Sequence, residues 1–122
     1  MATLAPEAAD DIMGPDADPA GRALFVENFA AVPEATYRAA IKCLVTFDER
    51  ANLPHIKVPV LCLAAELDRN APVQVVEKMA SKIPGAFYFC VSGRGHMPNL
   101  EAPAAFDSAI FNFLDHALSG TA

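Results

Sequence analysis

The stretch Val58-Pro59-Val60-Leu61-Cys62-Leu63-Ala64-Ala65-Glu66-Leu67-Asp68 is answered, one helical segment later, by Phe87-Tyr88-Phe89-Cys90-Val91-Ser92-Gly93-Arg94-Gly95-His96, and together the two decide the fold. The run at 60–65 is apolar at every position and is opened by Pro59, which suits a strand buried between helix layers rather than one with a wet face. The run at 87–91 has the aromatic enrichment of a second strand and ends in a glycine-flanked turn. Between them Pro72 starts a helix whose apolar face is Val73, Val76, Met79, Ala80 and Ile83, and Pro84-Gly85 stops it. Strand, helix and strand in such close succession make a βαβ unit, whose two strands run parallel. Both following loops then leave the same sheet edge. Asp68 and His96 stand just past the carboxyl ends of the two strands, where α/β sheets place ligand sites. For neighbouring strands roughly 4.8 Å apart, a carboxylate and an imidazole in those loops can meet.

Outward from this unit, 104–118 predicts a final helix with Phe106, Ile110, Phe113 and Leu114 on one face and Gly120 as its stop. On the amino side, Asp18-Pro19 is a cap followed by a favoured first helical residue, and it opens a helix at 19–31 that carries Leu24, Phe25 and Phe29, with Gly21 as a weak point. Pro33-Glu34 opens another helix, at 33–46, with an amphipathic stripe of Tyr37, Ile41, Leu44 and Val45. Asp48-Glu49-Arg50 and Asn52-Leu53-Pro54 break the pattern before the first strand. Residues 1–17, rich in Ala, Asp and Pro, are expected to form an irregular, mobile tail. The organisation read from the sequence is thus a tail at 1–17, a helical part at 18–52 and a βαβα part at 53–122.

The chain has 122 residues, 53% of them hydrophobic and 20% charged, which is the composition of a globular domain with a sizeable core. A net charge of -6 argues against nucleic acid or an anionic membrane surface as partner, because nothing offsets the repulsion. The amino end lacks the basic and apolar regions of a signal peptide and no segment is long and apolar enough to span a bilayer, so a cytoplasmic location is expected. Cys43, Cys62 and Cys90 are too far apart for a CxxC metal site or a disulfide framework and are expected to be buried small hydrophobes. No metal or organic cofactor is implied.

A carboxylate that accepts the Nδ1 hydrogen of an imidazole fixes its tautomer and stabilises the imidazolium formed when the other nitrogen takes a proton from a nucleophile. With that chemistry in view, the segment from Leu53 to Asp68 resembles the strand-and-acid segment of α/β-hydrolases. Gly93-Arg94-Gly95-His96, followed by Glu101-Ala102-Pro103, resembles their histidine loop and final-helix start. The resemblance covers roughly residues 33–118, in the family's order and spacing, and in flavour the segment from Tyr37 to Asp48 is similar to small lactonases, haloperoxidase-like enzymes and C–C-bond hydrolases. It implies a partial α/β-hydrolase fold in which lid-remnant helices precede a βαβα unit of a parallel sheet. It also implies Asp68 as triad acid, His96 as general base, and hydrolysis of an ester, lactone or related bond through an acyl-enzyme. Ala65 stands where the family often has glycine. The larger departure is that no GxSxG occurs, nor the oxyanion-hole loop and earlier strands. Ser81, Ser92, Ser108 and Ser119 lie outside any strand–turn–helix context.

Other readings of the same residues stand beside this one. Asp68 could simply end a strand and cap the helix near Pro72, and Glu66 reads as a solvated or supporting turn residue. Arg94 reads as a solvated side chain in a glycine turn. His55 and His116 read as structural, His116 because a positive charge suits a helix carboxyl end. Without a serine nucleophile the chain by itself is expected to be inactive, or to be a truncated fragment or interaction module. An apolar strand with an open edge predicts a homo-oligomer, most simply a dimer, or a separate chain carrying the missing half.

Overall fold

In the computed structural model, which describes residues 1–120, three helices come first: α1 (Ala5–Ile12), α2 (Pro19–Ala31) and α3 (Glu34–Thr46). A 3-10 turn (Arg50–His55) leads to β1 (Leu61–Ala65), α4 (Val73–Lys82), β2 (Phe87–Val91), the short α5 (Pro98–Glu101) and α6 (Pro103–Ser119). The architecture is a partial α/β fold in which helices precede a βαβα unit. β1 and β2 pair in parallel, in register from Leu61 opposite Phe87 to Ala65 opposite Val91, and form a two-stranded sheet. Each helix stops where its chemistry changes. Asp18 caps α2 by accepting the Gly21 N–H at 3.0 Å, and Ile83 turns to an extended conformation after α4, ahead of Pro84 and the left-handed Gly85 (φ 68).

The core lies in two clusters. One joins β1 to α4 through Cys62, Ala64, Val76 and Ile83, with Leu53, Ile56 and Val60 packed around them. Cys62, Ala64 and Ala65 are each 2% exposed, so β1 hides consecutive residues, as its unbroken apolar run predicts. The other cluster is helical, with Ala9, Met13 and Phe25 at its centre and Met97 and Leu100 against it.

Several expectations are corrected. Residues 1–17 are not an irregular tail: α1 occupies the middle of that segment, and Ala5 and Ala9 are fully buried. Alanines one turn apart carry little hydrophobic signal in sequence, and their value comes from letting backbones approach closely. Cys43 is exposed and Cys90 only half-buried, leaving Cys62 alone as a buried thiol. The reason for Cys43 is that α3 buries none of its residues: Tyr37, Ile41, Leu44 and Val45 are all exposed, although Tyr37 meets the Phe29 ring edge-on at 5.5 Å. The stripe on α6 is also only partly covered. Ala109 is its buried residue, Phe113 packs edge-on against Phe87, and Leu114 remains exposed.

Candidate active site

The parallel ladder continues past the strands and aligns their loops. Glu66 N–H donates to the Val91 carbonyl at 2.9 Å, and Leu67 N–H donates to the Arg94 carbonyl at 2.8 Å. Glu66 adds a side-chain brace, its Oε2 accepting the Gly93 N–H at 2.7 Å, so the turn residue supports the neighbouring loop instead of facing only solvent. Gly93 supplies the left-handed conformation (φ 66) that turns the chain toward His96.

The two loops bring together the pair that the sequence singled out. His96 Nδ1 lies 2.8 Å from Asp68 Oδ2. The other carboxylate oxygen, Oδ1, accepts the N–H groups of Asn70 and Ala71 at 2.8 and 2.9 Å. Asp68, three residues past the end of β1, therefore braces its own turn with one oxygen and holds the imidazole with the other. Partial burial pushes its carboxyl up, but the Ala71 N–H, the His96 ring and the Asn70 N–H outweigh it and leave Asp68 below the ordinary aspartate range. The Asp68 side chain is 8% exposed and that of His96 40%, so the acid is sheltered while the ring remains open to solvent. With hydrogen on Nδ1, the ring donates to Asp68 and leaves Nε2 free to take a proton.

Three features were not legible as parts of the site. Glu101, read as part of a helix start, is 1% exposed, and its carboxylate accepts the N–H groups of Gly14, Gly95 and Met97 at 2.6, 2.8 and 3.0 Å. The carboxyl end of α1 lies against the histidine loop: the carbonyl of its last residue, Ile12, accepts the His96 N–H at 2.8 Å. A Cβ at Gly95 would come within 2.4 Å of that same carbonyl oxygen, so the close approach requires glycine. Arg94 is not simply solvated but donates to the Asp16 carbonyl, and Arg69 reaches the Asp11 carbonyl at 3.0 Å. A cleft of about 510 Å³ opens between residues 10–15 and 66–69, with Asp68 in its wall. A buried carboxylate a few residues beyond a Gly-x-Gly-His turn was the available signal for Glu101, but burial cannot be read from one sequence.

His55 and His116 lie elsewhere. His55 ends the 3-10 turn, and the His116 ring meets Phe87 edge-on at 4.9 Å in the last turns of α6. Among the described residues no three His, Cys, Asp or Glu side chains are grouped to hold a metal ion, and no helix is long and apolar enough to cross a membrane.

No protein-family profile matches the chain. It is 34% identical over 77 residues to a protein of Caulobacter sp. (strain K31) assigned as the carbamate hydrolase RutD, a match spanning 63% of this chain and 29% of that protein. It is 28% identical over 75 residues to the pimeloyl-[acyl-carrier protein] methyl ester esterase of Vibrio vulnificus, spanning 62% of this chain and 29% of the esterase. In structure it is similar to the enol-lactonase of Burkholderia xenovorans LB400, with a TM-score of 0.85 at 25% identity over 94% of this chain and 45% of the lactonase. The chain thus spans less than half the length of each of these proteins. With the strand order, the parallel register and these likenesses together, the chain belongs to the α/β-hydrolase superfamily and corresponds to the C-terminal part of its relatives.

Proposed function

We propose that Asp68 and His96 are the acid and the general base of a serine-hydrolase triad whose nucleophile lies outside this sequence. The observation that carries the reading is the 2.8 Å contact between His96 Nδ1 and the sheltered Asp68 carboxylate at the carboxyl ends of two adjacent parallel strands. In a complete site, Nε2 of His96 takes the serine proton, Asp68 stabilises the imidazolium, and the same nitrogen returns the proton to the leaving group. The relatives' names point to an ester, lactone or carbamate as the bond cleaved. In this reading 18–52 is the lid part, 53–122 the acid- and histidine-bearing part, and the location cytoplasmic.

The sequence contains no GxSxG, so the chain alone has no serine elbow and no oxyanion hole, and these supply most of the rate in such sites. The purified chain should therefore hydrolyse short-chain activated esters no faster than a free imidazole of equal concentration. A stoichiometric covalent adduct with a serine-directed phosphonate would overturn this. A second reading, an interaction module with no catalytic role, is favoured by the apolar stripe of α3, where Leu44 and Val45 are 69% and 74% exposed.

A further inference from the structure

We infer that Glu101 is the positioning residue for His96, holding the imidazole against Asp68 and tying the segment after α1 to the histidine loop. The inference rests on the acid–imidazole reading above. Glu101 is the one charged residue among the described ones buried to 1% exposure, and it makes no ion pair there. Burial of a carboxylate is costly unless donors satisfy it. The donors are three backbone N–H groups, and two of them, Gly95 and Met97, are the residues on either side of His96. The third, Gly14, fixes the turn that follows α1, whose last residue, Ile12, accepts the N–H of His96 itself through its carbonyl. Three successive backbone amides of the histidine loop are thus held by partners from α5 and from the carboxyl end of α1. The Glu101 carbonyl completes the clamp by accepting the Asp18 N–H at 3.0 Å, which anchors the start of α2.

The chemistry requires a carboxylate. Oε1 accepts from Gly14 and Gly95 and Oε2 from Met97. A glutamine offers one accepting oxygen, and its NH2 would face one of these N–H groups, donor against donor. Glu101→Gln keeps the volume and loses the clamp on at least one side, so the loop relaxes and His96 leaves Asp68.

The test is the nitrogen spectrum of the His96 ring in the full chain labelled with 15N. The wild type should show one tautomer, with hydrogen on Nδ1 and a slowly exchanging low-field proton. Asp68→Asn should abolish that proton directly, and if it does not, the acid–imidazole reading itself fails. Glu101→Gln should convert the ring to a mixture of tautomers and lose the proton although Asp68 is intact and the circular dichroism is unchanged. A ring unaffected in Glu101→Gln but altered in Asp68→Asn would overturn the positioning role alone. Should Glu101→Gln fail to fold, the wild type in sub-denaturing urea decides. The amides of Gly14, Gly95 and Met97 should lose exchange protection together with the His96 low-field proton, and loss of that proton while the three amides stay protected overturns the inference.

Discussion

Asp68 accepts from the backbone through one oxygen and from His96 through the other, so its two roles do not compete. Bracing its own turn through the Asn70 and Ala71 N–H groups aims the second oxygen across the gap between the strands, whereas the expected helix cap is not made, since α4 starts at Val73 with no side-chain cap. The bonds lower its carboxyl below the ordinary value of 3.8, which fixes a sign. The stability Asp68 contributes is complete above its unfolded value and is lost as pH falls through the lower native value. Acid titration of stability should therefore be steeper below about pH 4 in the wild type than in Asp68→Asn, which cannot take up that proton. Urea midpoints at neutral pH and near pH 3 measure it, and identical acid slopes in the two proteins would remove Asp68 from the account.

Where α2 crosses α5, backbone meets backbone. A Cβ at Gly21 would lie 1.8 Å from the Leu100 carbonyl oxygen, a distance no rotamer change relieves. The glycine that weakens α2 as a helix is what lets it dock against α5, next to Glu101. Gly21→Ala should cost about 1–3 kcal/mol or more by forcing the helices apart. Gly120→Ala, whose Cβ would meet nothing closer than 3.8 Å, should change stability by about 0.5 kcal/mol at most. Thermal melts of the two variants check the contrast, and equal effects would mean that the crossing has room to give. α2 also explains α1. Its buried alanines, Ala5 and Ala9, matter only because α2 lies beside them.

The whole molecule exposes 8218 Å², whereas a compact monomer of its mass exposes about 6,300 Å². The excess, about 1,900 Å², exceeds the roughly 800 Å² that each partner loses in an ordinary protein interface. Much of it is apolar, in the α3 stripe and in Phe87, Tyr88 and Phe89 of β2, and β1 has no second strand partner among the described residues. Surface of this kind drives association. The chain should sediment as a dimer or higher species whose weight-average mass rises with concentration, and a monomer across a wide concentration range would show that the exposed faces need no cover.

Alternation, capping and turn chemistry are local properties, so the sequence by itself determined where α2, β1, α4, β2 and α6 begin and end to within a residue or two. The βαβ order also brought Asp68 and His96 to one sheet edge, because parallel pairing leaves a loop little freedom to be elsewhere. The short α5 and the 3-10 turn lay below what periodicity can register. Only the tertiary structure decided the fate of α1, Gly21, Gly95 and Glu101, whose importance comes from partners up to 87 residues away along the chain. A buried carboxylate and a helix of alanines have no periodic signature, and what they do depends on which backbone arrives beside them. The structure likewise decided that the stripe on α3 stays exposed, with only Tyr37 meeting a ring, that of Phe29, since an amphipathic pattern states that a face can be buried but not what buries it.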